Sequence, residues 1–137
     1  MTKKYIVLIL AAITILFLLF ARVYAKERAP FIIESNILIG SCDHSQYGCY
    51  WEGTNIIAIK EGMTKNLRSY VLNHELSHFY LDGTTESQYE AVLGVTGESR
   101  ILKEYGAVMM HLWMIYPESN LINNTMKNYF NKVFFKI

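Results

Sequence analysis

Seventeen consecutive residues without a charge, Tyr5 to Ala21, divide this chain before any other pattern is considered. A helix on the surface of a small core keeps a polar face toward water, and this run has none. Lys3 and Lys4 form a basic region ahead of it, Ile6 to Phe20 form the apolar stretch, and Val23-Tyr24-Ala25 offers modest or small residues at a cleavage position. Residues 1–25 are therefore expected to be a signal peptide or a membrane anchor. Residues 5–21 are at the short edge of what spans a bilayer, so the sequence allows either. Basic residues flank the run on both sides (Lys3 and Lys4, then Arg22, Lys26 and Arg28), and no orientation follows from them.

Removing those 25 residues from the 137 leaves 112, enough for one small domain over 26–137 and near the lower end for a self-sufficient core. That remainder carries ten Lys plus Arg against twelve Asp plus Glu, a net charge of −2. It lacks the basic footprint of a nucleic-acid binder, so none is expected as a partner. With 52% apolar residues over the whole chain, disorder is excluded. Export places the domain in an oxidising compartment, secreted or held outside the cytoplasm. Cys42 and Cys49, enclosing six residues with Gly48 suited to a turn, then read as a disulfide-closed loop. A metal site from Cys42, Cys49 and His44 lacks paired C-x2-C spacing.

Strand-favouring runs come first: Phe31-Ile32-Ile33, Ile37-Leu38-Ile39 and Asn55 to Lys60. Helical signals follow. Thr64 can cap a helix over about Lys65 to Leu81, and Asp82-Gly83 stops it. Thr84 or Thr85 can cap the next, with Gln88 at the capping-box position relative to Thr85, and Gly94 and Gly97 weaken that helix or admit a close neighbour. A further helix, about Glu98 to Tyr116, has Ile101, Tyr105, Val108, Leu112 and Ile115 at helical spacing, and Pro117 ends it. The basic tail, with Lys127, Lys132 and Lys136, has an apolar stripe suited to packing on the core or lying on a membrane. Strands before helices predict an α+β fold.

The chemistry is concentrated in Val71-Leu72-Asn73-His74-Glu75-Leu76-Ser77-His78-Phe79-Tyr80. Four residues apart on a helix, His74 and His78 project from one face, one turn from each other. Two such imidazoles can bind one Zn2+, and Glu75 can reach a metal-bound water as general base. A catalytic zinc site needs a third protein ligand. Glu86 and Glu90 are the leading candidates, because the Asp82-Gly83 break lets the chain reverse and their four-residue spacing puts both on one helix face. Glu98, Glu104 and His111 are the others. Tyr89, Tyr105 or His111 could stabilise an oxyanion. Asn55 to Lys60 could be an edge strand along which an extended peptide pairs, or an interior strand.

Beyond the five-residue motif, Val71 three before His74 and the uncharged Leu72, Leu76, Ser77 and Phe79 make a longer pattern that resembles the zincin metallopeptidase superfamily. The resemblance implies a minimal zincin-like domain that hydrolyses peptide bonds in a peptide or protein substrate with bound zinc. Gly83-Thr84-Thr85-Glu86-Ser87-Gln88-Tyr89-Glu90 resembles the Gly-Thr-x-Asp-x-x-Tyr-Gly signature of the aspzincins, or deuterolysin-like zincins, which implies Glu86 as third ligand. Glu stands here for their Asp, and Glu90 for their final Gly. A short gluzincin-like branch would instead put the ligand at Glu90, in Tyr89-Glu90-Ala91. A zinc-binding interaction module without catalysis, exported or membrane-associated, is the alternative reading; an accidental motif in a membrane-associated structural protein is another. Substrate and oligomeric state are not legible.

Overall fold

A computed structural model describes residues 3–25, 29–42 and 45–135 of the chain. Its elements in order are α1 (Lys3–Ala25), β1 (Phe31–Glu34), α2 (Asn36–Gly40), β2 (Gly48–Tyr50), β3 (Ile56–Ile59), α3 (Lys65–Leu81), α4 (Glu86–Leu93), α5 (Ser99–Ile115) and α6 (Asn124–Phe135). The fold is α+β. The sheet has the order β1-β3-β2, with β1 parallel and β2 antiparallel to β3.

The central strand organises the sheet. Ile57, Ala58 and Ile59 are all fully buried, as expected of a strand covered on both faces. Ile57 and Ile59 point toward α3 and pack with Val71 and Phe79. Ala58, on the opposite face, meets Ile39 of α2 and Cys49 of β2. The stretch Asn55 to Lys60 is thus the interior strand, and β1 and β2 are the edges. Cys42 and Cys49 form the expected disulfide, tying the end of α2 to β2. His44, the third member of the rival metal reading, lies outside the described residues.

Three local expectations are corrected. Ile37-Leu38-Ile39 is helical, because Ser35 caps a short turn by accepting a hydrogen bond from the Leu38 amide at 3.2 Å. The helix beginning after Thr85 ends at Gly94, whose φ of 69° makes the left-handed C-cap, and Gly97 lies beyond it. On α5, Ile101, Tyr105, Val108 and Ile115 are exposed, while Leu102, Met109 and Met110 enter the core. That helix is apolar on most sides, so a helical period alone does not choose between adjacent stripes.

The second core joins α3, α4, α5 and α6, with Leu81, Tyr89, Leu102, Met110, Ile122 and Phe130 at its centre. Asn123 caps α6 by accepting from the Met126 amide at 2.9 Å, and Met126 and Phe130 bury its apolar stripe. The tail therefore packs on the core. Lys136 lies outside the described residues.

The uncharged run Tyr5 to Ala21 falls in α1, where every side chain described, Tyr5 to Phe17 and Leu19 among them, is exposed. Among the described residues no helix is long and apolar enough to cross a membrane. The expectation of a signal or anchor in residues 1–25 rests on the sequence. Its basic flank, 26–28, lies outside the described residues.

Candidate metal centre

Thr64 starts α3 by accepting from the Leu67 amide, and from that fixed start the helical repeat brings His74, Glu75 and His78 to the cavity side. Ser77, on the adjoining inward side, is fully buried and satisfies its hydroxyl on the Asn73 carbonyl at 2.8 Å. The two imidazoles stand edge to face with centroids 4.8 Å apart, and their Nε2 atoms are 3.2 Å apart.

The third donor comes from α5. Glu104 places Oε2 3.3 Å from His74 Nε2 and Oε1 3.1 Å from His78 Nε2. His74, His78 and Glu104 could together hold a metal ion. The donor chemistry fits: two imidazole nitrogens and one carboxylate converge from two packed helices, and no aliphatic side chain is among them. Electrostatics agrees. The hydrogen bonds from His74 and His78 hold the Glu104 carboxyl well below the usual carboxylate range, so it is an anion facing the two rings. The hydrogen bond that His74 donates to Glu104 is the largest influence raising His74 above the ordinary imidazole value; burial pulls the other way.

Glu86 and Glu90 are not part of this cluster. Gly83, at a φ of 85°, turns the chain out of α3, and α4 then directs Tyr89, Val92 and Leu93 inward. Glu86 is exposed at the first turn of α4 and Glu90 is half-buried, and neither lines the cavity. Glu98 caps the start of α5 through its backbone. His111, two turns beyond Glu104, is buried against Tyr70 with its ring centroid 6.4 Å from that of His74. Its Nε2 has no hydrogen-bond partner among the described residues, and burial pushes its pKa down.

Close helix packing is the signal that could have found Glu104. Gly106 and Ala107 follow it and are buried, and a Cβ at Gly106 would come within 2.5 Å of the Tyr89 ring. Small residues two and three positions after a glutamate let α5 approach its neighbours closely enough to present that glutamate.

The cluster opens into a cavity of about 670 Å³. One wall is β2, with Gly48, Cys49 and Tyr50; another is the first turns of α5, with Arg100, Lys103 and Glu104. Glu75 is buried between α3 and β2. A Cβ on Gly48 would stand 2.8 Å from both Cγ and Oε1 of Glu75 and 2.5 Å from Val71 Cγ1, so only glycine leaves room there. Burial raises the Glu75 pKa, while the two histidines oppose the shift. The Tyr50 hydroxyl lies 2.7 Å from Asp82 Oδ2, which also accepts from the Gly53 amide at 2.9 Å. These contacts pin the β2–β3 turn to the end of α3. Of the three oxyanion candidates, Tyr89 lines the cavity, with its hydroxyl 3.5 Å from the Leu81 carbonyl; Tyr105 and His111 do not line it.

Comparison with protein-family models, with curated proteins and with solved structures finds no match to this chain.

Proposed function

We propose that this chain is a zinc-dependent metallopeptidase, with His74, His78 and Glu104 as the metal ligands and Glu75 as general base. The observation that carries the reading is the convergence of two imidazole Nε2 atoms, 3.2 Å apart, on the two oxygens of one carboxylate, 3.3 Å from His74 and 3.1 Å from His78, beside a buried carboxylate in one cavity. Atoms bonded at about 2.0–2.1 Å to one tetrahedral ion lie about 3.3 Å apart. Two imidazoles and a carboxylate, with a fourth position open to a cavity, suit catalytic zinc better than the all-oxygen shells of calcium or magnesium. A glutamate ligand favours the gluzincin-like branch of the zincin resemblance over the aspzincin branch, although it stands at neither Glu86 nor Glu90.

When bound, zinc would acidify a water molecule and polarise the scissile carbonyl. Glu75 takes the proton of the attacking water and delivers it to the leaving amine nitrogen. Its burial raises its proton affinity, which suits a group that must both accept and return a proton near neutral pH. The outer edge of β2 can pair with the backbone of an extended substrate, aligning one peptide bond over the cluster. The apolar segment in residues 1–25 would export or tether the domain outside the cytoplasm, where the Cys42–Cys49 disulfide is stable.

The test is metal content and hydrolysis together, on the purified full chain with a broad peptide pool. Near one zinc per chain is expected, lost in His78→Ala. Glu75→Gln should keep the zinc and lower hydrolysis by about 10²- to 10⁴-fold. Zinc without Glu75-dependent cleavage would make the chain a binding module; no zinc in folded protein would end the metal reading.

A further inference from the structure

We infer that the cavity selects substrates carrying a carboxylate within one or two residues of the scissile bond, and that Arg100 is the residue that reads it; this rests on the peptidase reading above. The charged side chains of the cavity leave one cation over. Lys103 is paired with Glu52 at 2.6 Å. Asp82 is engaged by Tyr50 and Gly53, and Glu104 faces the two histidines. Arg100 lines the same cavity, is exposed, and has no ion-pair or hydrogen-bond partner among the described residues.

Its position is what gives the cation a purpose. Arg100 precedes Glu104 by four residues, so the two side chains share one face of α5 about 6 Å apart. An extended peptide on β2 advances about 3.3 Å per residue. A group one or two residues from the scissile bond thus comes within reach of the guanidinium, whose planar fork matches a carboxylate in two parallel hydrogen bonds. A divalent ion in the cluster would be balanced by Glu104 and Glu75, leaving the α5 wall positive at Arg100. The carboxylate can belong to an Asp or Glu side chain or to the free C-terminus of the substrate.

Matched peptides decide both the inference and the source. The full-length chain is assayed on cleaved sequences carrying Glu or Gln beside the scissile bond, each with a free or an amidated C-terminus. Wild-type kcat/KM should favour the carboxylate by roughly 10- to 100-fold, the range of a charge-assisted hydrogen bond. Preference for Glu identifies an internal acid; preference for the free terminus identifies the C-terminal carboxylate. Arg100→Ala should collapse the ratio with zinc content retained, Arg100→Lys should restore part of it, and Arg100→Glu should turn the preference toward Lys. Cleavage that ignores charge, or a preference that Arg100→Ala leaves intact, overturns this inference alone. Zinc-loaded wild type that cleaves no peptide overturns the peptidase reading and this inference with it.

Discussion

The two walls of the cavity hold their reactive groups in opposite ways. On α3, Glu75 is 5% exposed and the two histidine side chains are 22% and 18% exposed, each braced by a helix seated on the sheet. On α5, Glu104 is 56% exposed and stands with Arg100 and Lys103 in the first turns of the helix, ahead of a mostly apolar remainder. One wall supplies three groups within two helical turns, fixed before any substrate or ion arrives. The other supplies a single carboxylate that depends on how closely α5 packs. Local geometry assembles the first, and tertiary packing the second.

The largest effect that can break this contrast is loss of a ligand. Glu104→Ala should weaken zinc affinity by more than the roughly 10- to 100-fold typical of removing an outer-shell partner. Glu86→Ala and Glu90→Ala should leave affinity unchanged within error. Competition with a chromophoric chelator measures all three. If Glu86→Ala loses the metal and Glu104→Ala keeps it, α5 is not a ligand wall, and the chain-reversal expectation stands in its place.

The same contrast explains what the sequence disclosed. His74, Glu75 and His78 were legible because four residues on a helix fix one turn, whatever the rest of the chain does. The caps at Thr64 and Thr85 were legible for the same reason: a hydroxyl and an amide three residues on need no distant partner. The interior character of β3 was open from sequence, since an unbroken apolar run says nothing of what lies on either side. The strand β2 carries no hydrophobic alternation at Gly48-Cys49-Tyr50, and only pairing with β3 makes it a strand. Glu104 reaches the cluster only through the packing of α5 against α3, a pairing that neither segment announces by its own period.

A smaller effect sharpens the rigid side. Gly48→Ala places a methyl group against Val71 and Glu75, both on the helix that carries His74 and His78. Overpacking of this kind costs about 1–3 kcal/mol. Chemical denaturation should show that loss. On the proposed reading zinc should still bind, since the atoms nearest the added methyl belong to Val71 and Glu75, while turnover falls because the displaced side chain is the proposed base. A Gly48→Ala protein with wild-type turnover would mean that Glu75 is not held by the β2 backbone.

The smallest effect concerns protons and has a definite sign. In metal-free protein His74 is raised above its ordinary value of 6.5, chiefly by its bond to Glu104, while Glu104 is held far below its own ordinary value of 4.5. The raised His74 contributes stability that is full below its unfolded pKa and is lost as pH rises through the folded one. The depressed Glu104 contributes stability present above its unfolded pKa and lost as pH falls through the folded one. The metal-free cluster is therefore most stabilising between the two. Zinc runs against that trend, because it must displace the proton on His74. Its affinity should fall with falling pH once below the raised His74 pKa, by about tenfold per pH unit for each proton released. Glu104→Gln removes the anion and should lower the His74 pKa in an NMR titration of the metal-free protein. An unshifted His74 would show that the exposed carboxylate of α5 does not engage the rigid wall in solution. The zinc ligand set would then have to be sought among the remaining acids that line the cavity, Glu52 and Asp82, each already held by a contact from another element.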